Sequence, residues 1–266
     1  MEDRNKSKYA HPDCYAAELE ECSTQISKEH YVSNTVLRLI SLGEPCVLVR
    51  NLRFQSPETL EPIGISNLVA KVLCSKHNSD LSRFDCAGQS VFDGMDQIDS
   101  AAGKPDTLPA TILVNGDDLE RWMLKTLCSC IFSRNIPVSG GSLKSIRPPK
   151  SWLSILFDDG QFPPGQGLYV RAGTPGIVFS TEPSVLKVEV VSDVNDVVIG
   201  FTVWIFNFEF ILVLTSLPSN CPPTLEYAHH RPKGIVVHGS NIRIQIEWRT
   251  SDAGDELEVR WMGPGG

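Results

Sequence analysis

Two blocks of cysteine and histidine, far apart in the chain, can act together only if folding joins them. The first, CYAAELEECSTQISKEHYVS, holds Cys14, Cys22, Glu29 and His30. The second, LCSKHNSDLS, holds Cys74, His77 and Asn78. A tetrahedral zinc takes four nitrogen or sulfur ligands, with Zn–S at about 2.3 Å and Zn–N at about 2.0–2.1 Å. Two residues separate Cys74 from His77, so both can reach one ion from a turn or from the start of a helix. Cys14 and Cys22 would complete the set, although seven intervening residues make a looser pair than the usual knuckle. The same side chains can also be read as ordinary thiols and a surface imidazole. Cys86 stands close enough to Cys74 to be a substitute ligand.

The redox setting supports the metal reading. The N-terminal stretch MEDRNKSKYAHPDC is polar and lacks the apolar core of a signal peptide. The expectation is a cytoplasmic chain whose eight cysteines are reduced. Cysteines grouped with histidine then read first as metal ligands. A formal charge of −8 and a pI near 5.3 leave no basic footprint for nucleic acid over the whole chain.

Glu29-His30 and Asn78 add a second chemistry. A histidine can take a proton from water. A divalent ion held by a carboxylate and an amide oxygen can polarise a phosphate and stabilise a leaving oxygen. The two blocks in this order resemble the HNH endonuclease superfamily in its zinc-bound ββα form. In that family a cysteine pair precedes an acid-His dipeptide, and a second knuckle is followed by Asn or His. The resemblance covers residues 11–90. It implies His30 as general base, Glu29 and Asn78 as ligands of a catalytic Mg²⁺ or Mn²⁺, and Cys14, Cys22, Cys74 and His77 around a separate structural zinc. Asn67 would brace the loop. The chain departs from the family pattern in the spacing of its first cysteine pair, in a histidine replacing the last knuckle cysteine, and in a long insert between the blocks.

The rest of the chain reads as α+β. The ββα module is followed by a linker or loop over 91–110, and then by a helix and a β-rich antiparallel domain over 111–266. Asn34–Leu42 has helical spacing and should stop before Pro45. Cys46–Leu52 reads as a strand and Ser66–Leu73 as a helix. Asp117–Phe132 reads as a helix capped by Asp117, with Leu119, Trp122, Met123, Leu127 and Cys130 on an apolar side packed on the β-rich half. Residues 134–150 read as loop, and Asp158-Asp159-Gly160 as a turn. Short strands then follow one another, with clear alternation at Ile242, Ile244, Ile246 and Trp248. Val197–Ser216 is long enough to cross a membrane, but Asn207 and Glu209 at its centre favour a β-hairpin turning near Asn207.

Two functions follow as expectations. One is a metal-dependent HNH-like nuclease acting on DNA, its C-terminal half recognising a partner or restraining the enzyme. The other is a non-catalytic zinc module for protein interaction, which the acidic balance favours, because phosphate binding is driven by Lys and Arg.

Overall fold

A computed structural model describes residues 8–50, 60–104, 106–133, 147–172, 185–193, 195, 197–205, 208–215, 225 and 227–260. In chain order its elements are β1 (Glu29–His30), α1 (Asn34–Ile40), β2 (Cys46–Arg50), β3 (Glu61–Gly64), β4 (Val69–Ala70), α2 (Ser75–Ala101), β5 (Ala110–Asn115), α3 (Gly116–Ser133) and α4 (Lys150–Phe157). There follow β6 (Gly167–Ala172), β7 (Val185–Ser192), β8 (Val198–Ile205), β9 (Phe208–Val213), β10 (His229–His230), β11 (Gly234–His238), β12 (Ile242–Glu247) and β13 (Leu257–Arg260). The fold is α+β, and its strands are largely antiparallel.

Near the N-terminus, β1 pairs antiparallel with β4, and the chain then enters α2. The expected helix over Ser66–Leu73 is instead a 3-10 turn at Ile65–Asn67 followed by β4. Val69 suits a strand, and pairing with β1 draws the second Cys/His block against the first. The first helix stops at Ile40, earlier than Pro45 requires, because Leu42 (φ 53°) and Gly43 (φ 88°) turn left-handed.

Helix α2 runs to Ala101, through half of the segment expected to be a linker. Strands likewise cross the expected boundary. A seven-stranded sheet has the order β10-β6-β9-β8-β7-β2-β3, and a four-stranded sheet the order β13-β11-β12-β5. Within these largely antiparallel sheets three pairings are parallel: β2 with β7, β5 with β12, and β13 with β11. Strands β2 and β5 reach these sheets from earlier in the chain. Their long, helix-bearing connections permit parallel pairing, which a tight hairpin cannot. Strand β12 buries Ile242, Ile244 and Ile246 and exposes Arg243 and Glu247, as a pleat requires.

The antiparallel pairing of β8 with β9 matches the hairpin read for Val197–Ser216, while residues 206–207 and 216 lie outside the described residues. Glu209 is buried and pairs with Arg171 of the neighbouring β6, which compensates its charge. Among the described residues no helix is long and apolar enough to cross a membrane. Residues 134–146 of the loop expected over 134–150 lie outside the described residues. Helix α4, which sequence analysis missed, begins directly after Pro148-Pro149.

Helix α3 sits at the centre. Asn115, rather than Asp117, caps it, its side-chain oxygen accepting from the Asp118 N–H at 3.1 Å. Every residue from Leu119 to Ile131 is buried. Trp122 packs on α2. Its ring packs edge-on against Phe92 of α2, and a Cβ at Gly88 of α2 would fall 2.6 Å from the indole. The absence of a side chain at Gly88 therefore sets the close approach of α2 and α3.

Candidate metal centre

The loop before β1 and the head of α2 are laced together by the backbone. The Tyr15 N–H donates to Val72 O, Ser27 N–H to Leu73 O, and Ser75 N–H to Gln25 O, each at 2.9 Å. Between the two cysteines of this loop lies a 3-10 turn at Ala17–Leu19, followed by Glu20 and Glu21 with φ of 59° and 52°. These left-handed residues reverse the chain and return Cys22 to Cys14, which explains how so wide a spacing serves one site.

Cys14, Cys22, Cys74 and His77 converge and are all buried, their ligand atoms within 4.8 Å of one another. His77 Nδ1 lies 3.5 Å from Cys14 Sγ, 3.6 Å from Cys22 Sγ and 3.3 Å from Cys74 Sγ. With the bond lengths of a tetrahedral zinc, an N···S edge is about 3.6 Å. The donor set and its spacing therefore fit a metal ion such as zinc. Cys86 is exposed and stands outside the group. Cys128 and Cys130 are buried core thiols, pushed well up by burial.

The electrostatics suit a cation. Burial pushes the Cys14 thiol up to about 12 and raises Cys22. Burial acts on Cys74 too, but there it is outweighed by N–H groups of His77 and Ser23, and the net shift is downward. Cys74 is the N-cap of α2, where N–H groups favour a thiolate. Burial lowers His77 and keeps its imidazole neutral, the form that binds metal. Phe157 closes the site with its ring edge-on to His77 at 5.2 Å.

Glu29, on β1, is buried, and the side chain of Asn78, the residue after His77, hydrogen-bonds it. Lys125 of α3 places its Nζ 2.8 Å from Glu29 Oε1 and 2.8 Å from both oxygens of Asp85. Ser33 donates to Asp85 and accepts from the Trp122 indole N–H at 2.7 Å. Burial raises Glu29 although Lys125 opposes it. Burial lowers the half-buried His30, assisted by Arg38. The Asn78 side-chain oxygen is buried without a partner, so it could serve a cation. The remaining donors do not fit a catalytic divalent ion as they stand, because the Lys125 ammonium already occupies the place between Glu29 and Asp85. Asn67 is exposed on the turn before β4 and braces no part of this group.

Sequence reasoning missed Ser33, Asp85 and Lys125. Lys125 reads as the polar side of an amphipathic helix, and only the burial of α3 on all sides turns it inward. No protein-family model, curated protein or solved structure matches the chain.

Proposed function

We propose that the chain is a zinc-organised interaction protein in which Cys14, Cys22, Cys74 and His77 hold one structural zinc and Glu29, His30 and Asn78 have no catalytic role. The observation that carries this reading is Lys125, whose ammonium stands 2.8 Å from both Glu29 and Asp85. A scissile phosphate would have to reach a carboxylate that is 7% exposed and covered by α3. Zinc would tie the N-terminal loop to the head of α2 and so couple metal binding to the order of the first third of the chain. The partner would be a protein bound through the β-rich half, in keeping with the net charge of −8.

One observation favours the HNH nuclease reading: the unpartnered Asn78 oxygen beside Glu29, with His30 adjoining. In that reading His30 is the base, and Lys125 must leave Glu29 and Asp85 before Mg²⁺ or Mn²⁺ can bind. A single assay separates the two. Zinc-loaded full-length protein is incubated with supercoiled, linear and single-stranded DNA and added Mg²⁺ or Mn²⁺. The interaction reading expects the DNA to stay intact. Metal-dependent cleavage that His30→Ala abolishes would overturn it.

A further inference from the structure

A second charged group lies just past the end of α4, around Asp159. Three arginines from three parts of the chain converge there on one oxygen. Arg83 of α2, Arg121 of α3 and Arg249 after β12 each bring a terminal guanidinium nitrogen to 3.7 Å from Asp159 Oδ1. A charge-assisted N–H···O bond is about 2.7–2.9 Å long. Asp159 is thus within Coulomb reach of all three cations and hydrogen-bonded by none of these contacts.

Asp159 is also poorly placed for a carboxylate. It follows α4, whose C-terminal carbonyls disfavour negative charge. Its φ of 56° puts a residue with a Cβ in the left-handed region that favours glycine. Gly160 cannot relieve this, since a Cβ there would fall 2.8 Å from the Ser154 carbonyl carbon. The three arginines are what offset these costs.

The arginines themselves are held in place. Arg121 is buried and donates to Ile155 O at 2.9 Å, Asp117 O at 3.2 Å and Gly160 O at 3.1 Å. Arg249 donates through Nε to Asp117 Oδ2 at 3.3 Å, which leaves its NH2 directed at Asp159. Asp118 lies 3.9 Å from Arg121 Nη1. The outer side is open, with the side chains of Arg83 and Arg249 57% and 52% exposed and that of Asp159 64% exposed.

We infer that Arg83, Arg121 and Arg249 form a site for a phosphoryl anion, either phosphate or a phosphomonoester, and that the Asp159 carboxylate is its internal, displaceable stand-in. A tetrahedral dianion offers several oxygens to three forks, whereas a single carboxylate oxygen sits too far from each to bond it. The inference does not depend on the zinc or nuclease readings.

The test is calorimetric titration of full-length protein with inorganic phosphate at fixed ionic strength, with phenyl phosphate in a parallel arm. Asp159→Asn removes the competing charge and tolerates the left-handed backbone. It should bind inorganic phosphate at least about tenfold more tightly than wild type. Adding Arg249→Gln should abolish that binding while the far-ultraviolet circular dichroism spectrum stays that of the single variant. Equal affinity for phenyl phosphate assigns the site to phosphomonoesters, and binding of phosphate alone assigns it to the free ion. Phosphate affinity of Asp159→Asn no greater than wild type, or unaffected by Arg249→Gln, overturns the inference.

Discussion

The Cys14/Cys22/Cys74/His77 group and the Glu29/Lys125/Asp85 group both join the β1–β4 region to α2, and both bury polar atoms, but they resolve the cost differently. The first brings together three sulfurs and an imidazole with no cation among its own side chains. The second contains its cation, supplied by a helix remote in sequence. A buried charge is tolerated when it is paired and hydrogen-bonded. The lysine network meets that condition within the chain, whereas the thiol cluster has no cation of its own and offers four donors to an ion from outside. The contrast separates a site that depends on solution conditions from one that depends on helix packing.

The largest expected effect is on the thiol cluster. Protein purified without chelator should carry one zinc per chain, and Cys74→Ala should lose it. Because metal affinity is coupled to folding, the variant should lose about 3–5 kcal/mol, lowering the thermal midpoint by about 10 °C or more. Metal analysis with scanning calorimetry would check both, and full zinc retention in Cys74→Ala would remove the external-cation side of the comparison.

The lysine network should respond with similar size but without metal dependence. Lys125→Met leaves two carboxylates beside an apolar chain and should cost about 3–5 kcal/mol. The triple variant Lys125→Met, Glu29→Gln, Asp85→Asn should recover part of that, since it removes the uncompensated charge along with the ammonium. Urea denaturation of the three proteins gives the comparison, and zinc content should stay constant throughout. A triple variant no better than the single one would show that Lys125 contributes packing rather than charge.

A smaller effect should appear with pH. Glu29 has a folded-state pKa above its ordinary 4.5. Its contribution is therefore fully present below about 4.5 and lost as pH rises through the raised folded value. Lys125→Met removes the neighbour that holds this value down, so the loss extends to higher pH. The stability gap between wild type and Lys125→Met should narrow as pH falls from about 7 toward about 5. Urea midpoints at intermediate pH values measure it, and a constant gap would mean that Glu29 is not the group exposed by the change.

The smallest effect is expected at Cys86. Its thiol is exposed and outside the cluster, so Cys86→Ser should change stability by less than about 0.5 kcal/mol and leave zinc content unaltered. A fall in zinc would bring Cys86 into the ligand set and break the assignment of Cys14 or Cys22.

Much of the metal centre was legible along the chain. Cys74 and His77 lie one helical turn apart, which local geometry alone can join, and Cys14 and Cys22 could supply the other two ligands, with Cys86 as a substitute. Hairpin β8–β9 and the alternation of β12 were legible for the same reason, since period-two burial is written in neighbouring residues. The two left-handed residues that return Cys22 to Cys14 carry no such mark, because Glu20 and Glu21 are not residues that announce a reversal. Nor do the parallel pairings of β2 with β7 and β5 with β12, which depend on distant partners.

Helix α3 marks where sequence stops deciding. Its pattern determined a helix with one apolar side, and the other side, with Glu120, Arg121 and Lys125, reads as solvent-facing. Tertiary structure surrounded it and gave each charge its own partner: Arg231 for Glu120, backbone carbonyls for Arg121, and Glu29 with Asp85 for Lys125. Helical periodicity records which side chains share a face. It does not record what stands opposite that face, and the pairing energy of a buried charge comes from groups brought near only when the whole chain closes.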